Sequence, residues 1–295
     1  MGDLINTASP RELISLLSRY KLKPHKGLGQ NFLIDGNIIQ KIIAAADLNP
    51  GDAVMEIGPG AGSLTLALAL RQARVLALEL DQGFVNLLKD QLRPFAQVSV
   101  IHGDALKADY GKLSALYFNS GDTVKLVSNL PYYISSPLIY RIIEQRFPFS
   151  CAVLMLQKEM TQRVLAKPGD SVYGSLSVLC QYYTFGKHLF NVSRNVFWPR
   201  PDVESAVITL KPRSPILEPD EEALLRQIVR TAFQHRRKTL INSLSLGFSW
   251  PKMIMAPLIM EASVDPECRP ETLSVGQFAK LARIIYNYRR SENGV

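Results

Sequence analysis

Residues 53–62 read AVMEIGPGAG: an apolar run carrying Glu56, then Gly58, Gly60 and Gly62 at alternate positions. The run predicts a buried strand, and the glycines predict a tight turn at its carboxyl end. Glycine adopts backbone conformations closed to other residues and lets a ligand approach closely, and open α/β sheets bind nucleotides at the carboxyl ends of their strands. The dinucleotide spacing GxGxxG is not met, because Ser63 stands where its third glycine belongs. The spacing is GxGxG with an acidic residue two positions ahead. Taken alone, the stretch also admits a plain glycine-rich turn with no ligand.

Outward from this run, short apolar segments recur at RVLALEL (74–80), VSVIH (98–102), VKLVS (124–128) and AVLML (152–156), with helical stretches such as SLTLALALR and FVNLLKDQL between them. Continuous apolar strands alternating with helices predict a parallel sheet covered on both faces. Glu79 closes the second strand, where a carboxylate accepts hydrogen bonds from both hydroxyls of a ribose. Asp104 follows the third, placed for an adenine amino group, although Gly-Asp is also ordinary turn chemistry. The glycine spacing resembles the first motif of the S-adenosylmethionine-dependent methyltransferases. With Glu79 and Asp104 at successive strand ends, that resemblance implies a site for this cofactor.

Upstream, SPRELISLLSRY (9–20) reads as a helix with Ser9 as N-cap, Pro10 at the first helical position and Glu12 completing a capping box. A second helix is expected over Asn37–Ala46, after a basic, glycine-broken segment. Downstream of residue 170 come LSVLCQYYTF, KHLFNV and VESAVITL, the last alternating as an antiparallel strand would. KPRSPILEPDEE (211–222) reads as a linker. Beyond it Leu224, Leu225, Ile228, Val229, Ala232 and Phe233 form one helical stripe, and Phe278, Leu281, Ala282 and Ile285 another. An α/β domain over residues 1–211, with an N-terminal helical arm, and a small all-helical domain over 212–295 are therefore expected. Met155, Met253, Met255 and Met260 read as core filler.

Composition narrows the function. The 295 residues are 47% apolar and 20% charged, an ordinary globular balance. Three cysteines and four histidines are scattered, without CxxC or HxxxH, so neither a disulfide framework nor a metal centre is expected. No apolar run is long enough to span a bilayer, and MGDLINTASP has neither a signal-peptide nor a myristoylation pattern. A reduced, soluble, cytoplasmic protein is expected. The net charge of +8 is compatible with a polyanionic partner without requiring one.

Asn129-Leu130-Pro131-Tyr132 follows the fourth strand. An exocyclic amine conjugated to a purine is a poor nucleophile, because its lone pair is delocalised into the ring. Accepting both N–H hydrogens, from the Asn129 side-chain oxygen and the Leu130 carbonyl, lets the nitrogen pyramidalise and present that lone pair to a methyl donor. Pro131 sets the turn, and Tyr132 offers a face on which the base stacks. Positioning and electrostatics suffice, with no unusual pKa.

Gln30-Asn31-Phe32-Leu33, the glycine motif, NLPY and FWPRPDVES (197–205) occur in this order, and together they resemble the ribosomal RNA adenine N6-dimethyltransferase family over residues 20–290. The resemblance implies a Rossmann-like class I methyltransferase domain with a mostly parallel seven-stranded sheet, and a C-terminal helical domain that binds rRNA. It implies that Phe197 packs on the target adenine opposite Tyr132. Asn31 and Leu33 would contact S-adenosylmethionine beside Gly58, Gly60, Glu79, Asp104 and Asn129. NLPYYISSPLI (129–139) and AFQHRRKTLINSL (232–244) resemble the KsgA branch, which dimethylates two adjacent adenosines near the 3′ end of small-subunit (16S) rRNA within an assembling subunit. The Erm branch, acting on large-subunit rRNA, and the mitochondrial transcription-factor-like branch are the alternatives within the family. An assembly factor acting mainly by binding is the alternative outside catalysis. A DNA adenine methyltransferase is disfavoured, since Leu130 departs from DPPY and NPPY. Tyr133 stands where the branch usually has Asn and is expected to add a second aromatic beside the base. For RNA phosphates the candidates are Lys23, Lys26, Arg236, Arg237 and Lys238, with Arg19, Lys21, Arg141, Arg146, Lys158 and Arg163 as further basic residues. Lys167–Asp170 reads either as a cover over the base or as a plain surface loop. A monomer is the default expectation.

Overall fold

The computed structural model describes residues 9–25, 27, 29–235 and 237–292. In chain order the elements are α1 (Pro10–Arg19), β1 (Phe32–Leu33), α2 (Gly36–Ala45), β2 (Ala53–Ile57), α3 (Ser63–Leu70), β3 (Arg74–Glu79), α4 (Gln82–Gln91), β4 (Val98–His102), α5 (Tyr110–Tyr117), β5 (Val124–Asn129), α6 (Ser135–Glu144), β6 (Phe149–Gln157), α7 (Lys158–Leu165), α8 (Ser175–Tyr183), β7 (Thr184–Val192), β8 (Phe197–Trp198), β9 (Ser205–Pro212), α9 (Pro219–Phe233), α10 (Leu240–Phe248), α11 (Lys252–Glu261) and α12 (Val275–Glu292). A 3-10 turn, Tyr132–Ile134, joins β5 to α6.

Seven strands form one sheet in the order β4-β3-β2-β5-β6-β9-β7. β2 pairs in parallel with β3 and β5, β3 with β4, and β5 with β6, whereas β9 runs antiparallel to β6. The chain leaves β2 in one direction toward β4 and restarts at β5 on the other side. A crevice therefore opens at the carboxyl ends of β2 and β5, where such a reversal places ligands. β2 is buried along its whole length, as its continuous apolar pattern predicts for a central strand. The anticipated alternation of β9 does not carry through to burial. Ser205–Ile208 are all buried, because this strand lies inside the sheet, next to β6 and β7.

The chain falls into two compact units. One comprises the chain up to Thr161 together with Phe185–Pro212, and the other comprises Gln162–Thr184 and everything from Arg213 onward. The sequence reading kept residues 162–184 in the first domain. They belong with the C-terminal helices because α8 is buried on nearly every side, and its Tyr182 and Tyr183 phenols donate to the buried Glu222 carboxylate of α9 at 3.4 and 3.2 Å. Lys167–Asp170 is part of this unit, tied by a Gly169 N–H to the Glu271 carbonyl at 2.8 Å.

Local signals succeeded unevenly. Ser9 stands at the N-cap of α1, but its side chain makes no capping bond. α2 starts one residue early because Asp35 Oδ1 accepts from the N–H groups of Asn37 and Ile38 at 2.8 and 3.0 Å. The linker ends at Glu218, since Pro219 begins α9. Met155 and Met255 are core residues, whereas Met253 and Met260 are 82% and 63% exposed. Seven residues apart on α11, these two share a face turned away from Met255 and Ile259.

Candidate active site

The site begins at the carboxyl end of β2, where Gly58 and Gly60 adopt φ of +69° and +57°. Space forbids a side chain there as well. A Cβ on Gly58 would lie 2.8 Å from Pro131 Cγ, and one on Gly60 would lie 2.9 Å from the Phe32 ring. Glycine thus lets the first motif lie against both the NLPY turn and the QNFL segment, three stretches distant in sequence. Their meeting encloses a cleft of about 900 Å³, open mouth included, lined by residues 29–33, 56–60, 78–80, 103–105 and 129–134 together with Ser63 and Leu64.

Carboxylates ring this cleft. Glu79 is buried, with Oε2 accepting from the Gly60 N–H at 3.0 Å and Oε1 from the Asp81 N–H at 2.9 Å. Burial pushes its pKa up, against the pull of those backbone donors. With the Leu80 N–H also directed at it, the carboxylate retains at least one acceptor site for a hydroxyl. Asp104 Oδ1 accepts from the Leu106 N–H at 2.9 Å, the turn bond its Gly-Asp setting suggests, and the residue also lines the cleft. Glu56, quoted in the motif but assigned no role from sequence, is fully buried on β2 with Oε2 lacking a hydrogen-bond partner. Burial raises its pKa to about 8, and the charge of Glu79 acts in the same direction.

Asn129 closes β5. Its Nδ2 donates to the Asn31 carbonyl at a long 3.4 Å, while Oδ1 is buried with no hydrogen-bond partner. The Leu130 N–H donates to the Met155 carbonyl at 3.1 Å, and Pro131 carbonyl accepts from the Ile134 N–H and from Ser135 Oγ at 3.2 and 2.9 Å. These bonds fix the turn that presents Tyr132. Its hydroxyl lies 2.5 Å from Ser205 Oγ on β9, and burial raises its pKa while that bond opposes the shift. Asn31 Nδ2 donates to the Gly29 carbonyl at 3.1 Å, and the Leu33 carbonyl accepts from Ser63 Oγ at 3.1 Å, so both residues stand at the cleft wall.

Two further aromatics bear on the site. β8 pairs with β1 so that Phe197 sits opposite Leu33, but its ring is 3% exposed in the core and does not line the cleft. No open face is offered to a base in this arrangement. Tyr133 does line the cleft at 45% exposure, with its Cδ1 3.6 Å from where a Gly29 Cβ would lie. Burial raises its pKa, and the carboxylates of Asp104 and Glu79 push in the same direction.

Among the candidate RNA contacts, Lys23, Arg237 and Lys238 are exposed, while Lys26 and Arg236 lie outside the described residues. Arg141 is committed to structure, its Nε and Nη2 both donating to the Ala108 carbonyl at 3.1 and 2.7 Å. Lys158 pairs with Glu204 at 3.4 Å. Ser205 and Phe32 lie inside segments quoted from the sequence, yet nothing local marks the bond of one to Tyr132 or the packing of the other on Gly60. Among the described residues no three His, Cys, Asp or Glu side chains converge as a metal site needs, and no helix is long and apolar enough to cross a membrane.

Acceptors from Glu56, Glu79, Asp104 and Asn129 around a glycine turn suit a ligand rich in donors: ribose hydroxyls, an adenine amine and a cationic amino-acid tail. The residues fit S-adenosylmethionine on that ground, and a sheet of this order with such a cleft defines a methyltransferase of the Rossmann-like class. The match is closer than class: residues 21–286 match the ribosomal RNA adenine dimethylase family, and the chain belongs to it. It is 44% identical over 286 residues to ribosomal RNA small subunit methyltransferase A of Pelotomaculum thermopropionicum, covering 95% of this chain and 97% of that one. Its structure is similar to that of a dimethyladenosine transferase from Plasmodium falciparum (TM-score 0.70, 29% identity, covering 90% of this chain and 98% of that one). The 23S rRNA methyltransferase ErmE is also similar, with a TM-score of 0.64 and 25% identity over 87% of this chain and 100% of that one. Membership of a methyltransferase family implies a methyl donor of the S-adenosylmethionine type.

Proposed function

We propose that this enzyme dimethylates N6 of two adjacent adenosines near the 3′ end of small-subunit (16S) rRNA, using S-adenosylmethionine, on a subunit being assembled in the cytoplasm. The observation that carries the chemistry is Asn129 Oδ1, a buried acceptor with no partner at the floor of the cleft. Leaving such an atom unpaired costs about 1–3 kcal/mol, so its natural complement is a donor brought by substrate. An adenine N6 amine brings two. Asn129 Oδ1 takes one N–H, and the Leu130 carbonyl takes the other. Held this way the nitrogen loses conjugation with the ring, and its lone pair turns toward the glycine side of the cleft. When bound, S-adenosylmethionine supplies a sulfonium methyl that this lone pair can attack. Glu79 would hold its ribose hydroxyls, Asp104 its adenine amine, and the walls at Asn31, Leu33, Gly58 and Gly60 its remaining length.

Tyr132, braced by Ser205, gives the base a face to stack on once it has left the helix, as base-modifying enzymes require. Phe197 is buried as it stands and would have to become exposed to serve as a second stacking face. Lys23, Arg237 and Lys238, with Lys26 and Arg236, would meet phosphates and set affinity more than sequence choice. The higher identity to the small-subunit relative than to ErmE supports the small-subunit substrate. The test is transfer of labelled methyl to unmethylated small and large subunits, followed by mapping of the modified adenines. Label on neighbouring adenosines near the small-subunit 3′ end is expected. Label confined to the large subunit, or to none, overturns the reading.

A further inference from the structure

The two tyrosines after Pro131 both line the cleft. Adjacent residues of a 3-10 turn project about 120° apart, and the first of this pair has a known direction. Tyr132 is bonded to Ser205 on β9, beyond β6 from the turn. Tyr133 must therefore point elsewhere, and its surroundings say where. It shares the cleft with Glu79, Leu80, Asp104 and Ala105, residues at the carboxyl ends of β3 and β4, on the opposite side of β5. Its Cδ1 lies 3.6 Å from where a Gly29 Cβ would be, so the ring edge is beside Gly29. Tyr133 is half-exposed and lines the same cleft as the two carboxylates.

We infer that Tyr133 is a positioning residue for the nucleoside half of the cofactor: its ring forms the outer wall over the adenosine that Glu79 and Asp104 hold, and it does not touch the target base. This rests on the cofactor reading above. A flat aromatic wall stabilises a bound purine by stacking and excludes water from the hydrogen bonds beneath it, so the residue sets how long cofactor and demethylated product stay bound.

The test is calorimetric titration with S-adenosylhomocysteine, without RNA, on the full chain and on Tyr133→Ala and Tyr133→Phe, alongside steady-state kinetics with unmethylated small subunits. Since base–aromatic stacking is lost on truncation, Tyr133→Ala should bind roughly 5- to 100-fold more weakly. Tyr133→Phe keeps the ring and should bind within about twofold of the parent. The KM for subunits should be unchanged in both. Equal affinity in the parent and Tyr133→Ala overturns the inference, most plainly if the KM for subunits rises, since Tyr133 would then belong to the base. Failure of the parent itself to bind S-adenosylhomocysteine overturns the cofactor reading beneath it, a result distinct from the first.

Discussion

The hydroxyl of Tyr132 and Oγ of Ser205 lie 2.5 Å apart, and this bond ties the turn after β5 to the first residue of β9, two strands away in the sheet. Ser205 is wholly buried, so Ser205→Ala leaves a shielded phenol unpaired at a cost of about 1–3 kcal/mol. The ring then loses its fixed orientation. We expect a KM for subunits raised roughly tenfold, from ~1.4 kcal/mol of lost ordering, with S-adenosylhomocysteine affinity unchanged. A change in cofactor affinity instead of KM would place Tyr132 on the wrong side of the cleft.

Asn129→Ala should separate function from stability. On the proposed reading Asn129 Oδ1 takes one of the two amine hydrogens, so its removal should lower kcat about 100-fold or more, the range seen for a lost transition-state acceptor or donor. Because Oδ1 has no partner and Nδ2 makes only a 3.4 Å bond, the melting temperature should hardly fall. A sharp drop in thermal stability would mark Asn129 as structural.

Gly58→Ala and Gly51→Ala form a matched pair. Both glycines have positive φ, +69° and +85°, and an alanine there costs about 1–2 kcal/mol in backbone strain. Only at Gly58 does the new methyl also meet a neighbour, Pro131 Cγ at 2.8 Å, whereas Gly51 has open space. Both variants should be less stable, and only Gly58→Ala should lose S-adenosylhomocysteine binding. Parallel losses in both would refute the close approach of the glycine turn to NLPY as the cause.

Glu56 sets a pH dependence of stability. Its folded pKa of about 8 stands above its ordinary value of 4.5, so the folded protein binds a proton that the unfolded chain releases between those values. Its contribution is full at acid pH and is lost as pH rises toward 8. Glu79 shifts in the same direction, so the informative quantity is the difference between proteins. Melting temperatures of the cofactor-free protein should decline from pH 6 to 9, and Glu56→Gln should flatten that decline. Identical slopes would show that the carboxyl does not titrate in this window.

The strands were legible because their cause is local in sequence. AVMEI, VSVIH and their counterparts are continuous apolar runs, and burial on both faces of a central sheet selects such runs wherever they occur. Glu79, Asp104 and Asn129 were legible for a related reason: a parallel sheet puts every strand's carboxyl end on one edge, so residues just after strands converge without further information. Other features are decided by a neighbour remote in sequence. α8 looked like one more segment of the α/β domain, and only its bonds to Glu222 assign it to the C-terminal unit. Phe197 kept its position in the chain but not an open face, because pairing with β1 buries its ring.

Chain order and side-chain chemistry thus determined, from sequence alone, the α/β class, the glycine turn, the acidic strand ends and the place of Asn129 at the end of β5. Tertiary structure alone decided which way each group faces. It bonded Tyr132 to Ser205 on β9, buried Glu56 within reach of the Glu79 charge, and left Asn129 Oδ1 without a partner. The reason is physical: whether a polar atom is paired, or a ring is exposed, depends on what the fold brings within a few ångströms, and those groups come from strands far apart in the chain.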